Sequence, residues 1–303
     1  MSELRHAPYG GPDPNPPMAI GLKALDLAEW IEPDEHLAAE LIEKERLLKE
    51  RHAEVFAERP DSRRAQQEVL ALLIDHLPRV HPAIYRRDGS RIEVVPAATS
   101  IEVEDPEEAP LECASRLVQE DLVLMARGDT GWQLAAASLC FPSTWVLAEK
   151  FGRDMDGIHQ PVPGYAEHIG PRLLRIFDNL PVERPVWRLN WSIYDGPELF
   201  APRRRPGPRV WLSEGVVADA NCFIRVERQT LRKLPETGYI LFTIKVLLDP
   251  LAALGRHPEG PQLAQGLRAQ LQKLDAAQLA YKGLVESRDL LVEALARYEV
   301  APA

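Results

Sequence analysis

Two stretches of the chain carry side chains whose type and spacing could do chemistry. The first is Gly157-Ile158-His159-Gln160-Pro161-Val162-Pro163. Pro161 and Pro163 fix their own backbone and bias Gln160 and Val162 toward extended conformations. The pattern predicts His159 on a stiff, apolar, extended loop, where its ring has little freedom. That suits a metal or haem ligand that must point one way. The plainer alternative is a histidine hydrogen-bonded within a loop. The second stretch, residues 221–231, alternates as a strand. Cys222, Ile224, Val226, Arg228 and Thr230 share one face, and Phe223, Arg225, Glu227 and Gln229 share the other. Arg228 therefore has the parity of apolar residues, and a buried guanidinium needs an anion. A carboxylate, a haem propionate or a charged substrate-site residue would serve. An edge-strand arginine paired with Glu198 or Asp219 would satisfy the same pattern.

A third strand pattern, Val186–Tyr194, sets Trp187, Leu189, Trp191 and Ile193 against Arg188, Asn190 and Ser192. Its tryptophans read as core packing. Asn190 becomes a polar lining residue if its face looks into a cavity.

Commoner chemistries are missing from the sequence. No GxGxxG or GxxxxGK[ST] cradle for phosphates occurs, and neither a GxSxG elbow nor an HExxH zinc helix is present. The eight histidines form no close pair with ligand spacing, so a mononuclear zinc site has no support. Cys113, Cys140 and Cys222 are too few and too scattered for a disulfide framework, and too few for an ordinary iron–sulfur cluster. They read as buried thiols. With a formal net charge of −10, the chain is a poor nucleic-acid binder. No apolar run is long enough to span a membrane, and residues 1–17 lack the apolar core of a signal peptide. A reducing cytoplasm is the expected location.

The elements that must position these residues follow from periodicity. Residues 1–17, rich in Gly and Pro, are expected as a flexible tail with nothing to bury. A helix is predicted from Asp34, as N-cap, to Phe56. A second runs from Ser62 until Pro78 ends it, and the two suggest an antiparallel hairpin. Strands are expected at 91–96, 121–126, 132–140, 186–194, 221–231 and 239–248. A short helix capped by Ser143 and a helix at 165–180 interrupted by Pro171 lie between them. From Pro261 to Tyr298 the pattern is helical again. The order is α+β, with a largely antiparallel sheet flanked by N- and C-terminal helices.

Three strings then stand out together: FPSTWVLAEKFGRDMDGIHQPVPGY (141–165), RLNWSIY (188–194) and FIRVERQTLRKLPETGYILFTIKVLL (223–248). They resemble the signatures of the haem-dependent oxidative N-demethylase α-subunit family. MAIGLKAL (18–25) and WIEPDEHLAAELIEKERLL (30–48) extend the likeness over roughly residues 15–300. The resemblance implies a single PAS-like haem-binding domain over residues 18–303, with a b-type haem against the antiparallel sheet. It implies NADPH- and O2-dependent oxidation of a small secondary methylamine to a primary amine and formaldehyde. Electrons would arrive through partner subunits carrying flavin and an iron–sulfur cluster. In this chain His159 falls in the family's IHxPVP string and becomes the candidate axial ligand, with Pro161 beside it and His168 as the fallback. Glu227 and Arg228 fall in its VERQ string, so at least one is expected in the distal pocket; Arg228 is also a candidate cofactor contact. Arg225 and Asn190 complete the candidate catalytic set.

One expectation stands apart from the resemblance. A chain with three dispersed cysteines and no dinucleotide fingerprint does not by itself reduce a haem from NADPH, so an oxygenase reading requires a partner reductase. The competing readings are a haem- or ligand-sensing PAS-type module without turnover, and a structural subunit whose cofactor site has degenerated.

Overall fold

The computed structural model describes residues 4–10, 18–129, 131–204, 209–213 and 216–299. In chain order its strands begin with β1 (Lys23–Ala24), β2 (Phe56–Glu58), β3 (Tyr85–Asp88), β4 (Arg91–Val94), β5 (Thr99–Glu102) and β6 (Asp121–Gly128). They continue with β7 (Gly131–Ser138), β8 (Val186–Tyr194), β9 (Leu212–Ser213), β10 (Val216–Val217), β11 (Phe223–Lys233) and β12 (Ile240–Pro250). Seven of them form one antiparallel sheet in the order β1-β8-β11-β12-β6-β7-β2. Strands β3 to β5 make a separate meander, and β9 and β10 a small ribbon.

Four helices lie before β6: α1 (Leu37–Glu50), α2 (His52–Val55), α3 (Arg63–Val80) and α4 (Pro110–Ser115). Between β7 and β8 come α5 (Leu147–Lys150), α6 (Met155–His159) and α7 (Gly170–Asn179). Helices α8 (Gly260–Lys273), α9 (Ala276–Lys282) and α10 (Arg288–Ala296) follow β12. The α+β arrangement and its antiparallel sheet agree with the periodicity.

Several boundaries differ for identifiable reasons. The first helix starts at Leu37, because the Asp34 carboxylate is taken by Lys245 at 2.8 Å and by the His36 amide at 2.9 Å. It also breaks at Arg51, where the backbone leaves the helical region. The expected helical hairpin does not form: β2 lies between the two helices at the sheet edge, and α3 packs mainly on α4. Pro78 sits inside α3, in its last turn, where one missing donor does not end the helix. The helix expected at 165–180 is a π-helical turn over Tyr165–Ile169 that passes directly into α7, and Pro171 stands in the first turn of α7 where the two meet. Ser143 caps nothing, since its hydroxyl accepts from the Arg225 guanidinium. Of the supposed tail, residues 4–10 carry Leu4 and Tyr9 buried against the C-terminal helices, which contradicts the expectation of nothing to bury; residues 1–3 and 11–17 lie outside the described residues.

The two faces of the β8–β11–β12 region are chemically different. On one face Trp191, Ile193, Ile224, Val226 and Leu247 are covered by α8 and α10. Farther along that face Arg228 and Lys245 are buried, and both meet the segment before α1. Arg228 pairs with Glu32 at 3.1 Å and donates to the Trp30 and Glu29 carbonyls. Lys245 pairs with Asp34 and also donates to the Glu32 carbonyl and to Gln119. Lys44 on α1 is equally buried and donates to the carbonyls of Ser115, Val118 and Glu120, tying that helix to the approach to β6. Removing either partner of such a pair leaves an uncompensated buried charge.

Glu40 shares this network and accepts from Gln119 at 2.9 Å. Burial, aided by the nearby Asp34, pushes its carboxyl up from 4.5 to about 7. The native chain therefore keeps a proton that the unfolded chain loses. That contribution is fully present below pH 4.5 and lost as the pH rises through about 7. Glu32 works in a different window. Burial alone would raise its carboxyl, but His6, Arg228 and Lys245 hold it at about 2, so its contribution is lost only as pH falls below 4.5. In urea denaturation, wild-type stability between pH 4.5 and about 7 should fall relative to Glu40→Gln, by on the order of 2–3 kcal/mol. Parallel profiles for the two proteins would show that Glu40 is ionised throughout.

Candidate functional site

The register of β11 on β8 brings a polar set to the sheet face opposite Arg228. Gln229 lies across from Arg188, Glu227 from Asn190, and Arg225 from Ser192. Directly opposed residues share a face, so Arg188, Asn190, Ser192, Tyr194, Arg225, Glu227 and Gln229 project together. Glu227 Oε2 accepts from Asn190 Nδ2 at 3.3 Å and from Gln229 Nε2 at 2.7 Å. Arg188, Asn190, Ser192 and Tyr194 are only half-buried, on a strand whose outer edge β1 covers at just two residues, so this part of the face is not fully closed by packing.

His159 lies close enough to this face for the charge of Arg188 to act on it. It ends α6, whose N-cap Asp154 accepts from the Gly157 amide at 2.8 Å. The histidine is thus helical, not on an extended loop. Gln160 keeps a right-handed helical backbone despite the proline that follows, because the turn closes locally, with the Val162 amide bonded to the His159 carbonyl. Pro161 and Pro163 belong to a tight reversal completed by Gly164 at φ +67°, a conformation suited to glycine. The reversal returns Tyr165 onto the imidazole, the rings stacked at 4.8 Å and 8°.

His159 Nδ1 lies 2.9 Å from the Met155 carbonyl, one turn back. A carbonyl only accepts, so Nδ1 carries the proton and Nε2 carries the lone pair. Burial lowers the basicity of the ring, and Lys150 and Arg188 lower it further against the opposing Met155 hydrogen bond. The imidazole is therefore held neutral in one tautomer, with no hydrogen-bond partner for Nε2 among the described residues. Ligating histidines are held in the same way, by a bond from the other ring nitrogen. The side chain of His168, the fallback ligand, lies outside the described residues.

Arg225 and Arg228 are placed elsewhere. Arg225 is fully buried: Nε donates to Ser143 at 2.8 Å, and Nη2 donates to the Phe141 and Leu199 carbonyls at 2.8 and 3.0 Å. Its donors bind the turn at 141–143 to the loop at 198–199 and do not point into free space. Arg228 does have the anion that its parity demanded, but that anion is Glu32, not Glu198 or Asp219. Adjacent residues of one strand face opposite ways, so Glu227 and Arg228 do not line one pocket. Of the sequence candidates, Asn190 and Glu227 are hydrogen-bonded on this face, and His159 is linked to it through the charge of Arg188.

At the other end of the same strand face, Ser192 and Tyr194 line a cleft of about 360 Å³ with Thr144, Phe200, Arg204 and Lys282. Thr144 holds φ +57°, unusual for a β-branched residue, and its amide is fixed by the Ala201 carbonyl. Lys282, at the end of α9, is buried and donates to the Trp191 carbonyl at 2.6 Å, capping the edge of β8 that the two-residue β1 leaves uncovered. Burial lowers its ammonium to about 8 against the raising influence of Glu227. The three thiols are buried, and burial pushes Cys113 and Cys140 up to about 12 and Cys222 up as well, so none is a thiolate near neutrality.

Sequence reasoning missed Tyr165, Arg188 and Lys282. Arg188 was legible in the alternation it shares with Asn190. Tyr165 was signalled only by the glycine before it, and nothing local marks Lys282. Among the described residues no group of three His, Cys, Asp or Glu side chains is arranged to hold a metal ion, but a haem iron needs only one axial side chain. No helix among the described residues is long and apolar enough to cross a membrane.

A family model described as "haem-dependent oxidative N-demethylase, alpha subunit-like" matches residues 21–292. The match takes in all three strings that carry the resemblance.

Arg225→Met should behave as a structural variant. It strands the carbonyls of Phe141 and Leu199 without their donor and should lower stability in urea by about 3–5 kcal/mol, as loss of a buried charged hydrogen-bonding partner does. Unchanged stability would return Arg225 to the candidate catalytic set.

Proposed function

The chain belongs to the haem-dependent oxidative N-demethylase, alpha-subunit-like family, and on that premise we propose that it is the haem-bearing subunit of an amine monooxygenase. Residues 18–303 act as a single PAS-like domain holding haem b, with His159 as its axial ligand. The observation that carries the reading is the His159–Met155 hydrogen bond, which leaves Nε2 as a lone pair beside a half-open polar face. The side chains fit such a cofactor. The ring is neutral and fixed, a stacked tyrosine backs it, and the Arg188 guanidinium nearby has a buried Nε without a partner.

When bound, haem supplies the activation of O2 and the oxidation of a methyl group. The substrate is a small secondary amine of the dimethylamine type. Dimethylamine, O2, two electrons and two protons then give methylamine, formaldehyde and water. The chain's own residues bind and orient. Glu227 is the carboxylate of the open face, and its Oε1, not used by Asn190 or Gln229, accepts an N–H of the ammonium substrate. Asn190 and Gln229 hold that carboxylate in place. Tyr165 restrains the His159 ring from behind. The protonated, dispersed thiols offer no route for electrons, so these come from NADPH through a partner reductase carrying flavin and an iron–sulfur cluster.

The ligand assignment is checked by the visible spectrum. Purified protein is expected to show a Soret band that His159→Ala removes or shifts, and an unshifted band with full haem content would move the ligand elsewhere. With an added reductase, dimethylamine should release formaldehyde. Glu227→Gln should lower kcat/KM by roughly tenfold or more at unchanged haem content, the loss expected when a charged hydrogen bond is removed.

A further inference from the structure

The open sheet face has a cation to spare. The Arg188 side chain makes no hydrogen bond or ion pair among the described residues, and its Nε is fully shielded from solvent without a partner. The side chain as a whole is half-buried, but a guanidinium nitrogen shielded from water without an acceptor is costly unless an anion meets the group. The two fully buried arginines of the sheet are satisfied, Arg228 by Glu32 and Arg225 by four backbone carbonyls. Glu227 lies within electrostatic reach of Arg188 but bonds to Asn190 and Gln229 instead. Lys282 adds a second cation, an ammonium, near Glu227, and Tyr281 supplies a phenol. The facing groups are thus His159, Glu227, Tyr281 and Lys282, and they leave positive charge in excess.

We propose that Arg188 is the receptor for a carboxylate carried by the ligand of this site. A guanidinium fork matches a carboxylate in two parallel hydrogen bonds, which a point cation does not. The carboxylate has two possible bearers in the same space, a haem propionate or an N-methyl amino acid substrate. The assignment rests on the proposed function for the presence of haem.

Arg188→Met, close in length and uncharged, separates receptor from scaffold. In the cofactor-free protein the variant should melt at or above the wild-type temperature, because a half-buried cation with a shielded, unpartnered Nε has been removed. Haem titrated into it should bind about 10- to 100-fold more weakly, the effect of losing a charged hydrogen bond. Haem dimethyl ester should bind wild type and variant alike, which assigns the carboxylate to a propionate. If haem affinity is unchanged but the variant loses the Soret perturbation by N-methylglycine and keeps that by dimethylamine, the substrate bears the carboxylate. The receptor is refuted by a variant that melts well below wild type without cofactor, or that binds every ligand as wild type does. Should wild type take up no haem, the proposed function fails. N-methylglycine must then still raise the melting temperature of wild type and not of Arg188→Met, or the receptor fails as well.

Discussion

The antiparallel register of β8, β11 and β12 is the constraint on which the rest depends. Successive residues of a strand face opposite ways, so this pairing sorts the charges of the sheet into two sets. Arg228 and Lys245 go to one face, and Arg188, Arg225 and Glu227 go to the other. A slip of one residue in β11 would turn its charges over and bring Arg228 onto the face that Arg188 occupies. The hairpin of β11 and β12 resists the slip, because all eleven residues of β11 have a partner in β12.

The two faces are then treated differently. The first is neutralised by a short segment before α1, with Glu32 opposite Arg228 and Asp34 opposite Lys245. These contacts join residues about two hundred positions apart in the chain, and they make the N-terminal segment part of the sheet's packing. A buried ion pair adds little net stability over an apolar substitute, but breaking one is severe, so the pairs act chiefly to hold one arrangement. Arg225 has a similar role on the second face, where one guanidinium gathers carbonyls from two loops. The remainder of that face is left open at β8. Its polar groups are satisfied by one another at Asn190, Glu227 and Gln229 and unsatisfied at Arg188.

Much of this was legible in the residues. Alternation located β8 exactly as Val186–Tyr194 and placed β11 and β12 within two residues, since half-buried strands announce themselves by period. It also separated Glu227 from Arg228 and required an anion for the latter. It did not identify Glu32 as that anion, because the partner is fixed by long-range packing that leaves no local trace. The prolines misled. Pro161 and Pro163 suggested an extended loop, yet the Asp154 cap and the local closing bonds hold a helical turn through Gln160. Pro78 and Pro171 likewise lie within helices, in end turns where the missing donor matters little. Lys282 was invisible for the same reason as Glu32: it acts by covering a strand edge that only the folded topology exposes.

That helical turn changes the argument for His159. A loop stiffened by prolines restricts where a ring can go but leaves its tautomer open. A histidine whose Nδ1 meets a backbone carbonyl one turn back has its tautomer decided, because the Met155 carbonyl has only an acceptor to offer. The bond runs to the backbone, so the identity of the side chain at 155 does not set it. It depends instead on the helix, and hence on the Asp154 cap and on the reversal that stacks Tyr165 on the ring. The feature that fixes the His159 tautomer is therefore a property of the whole segment from Asp154 to Tyr165.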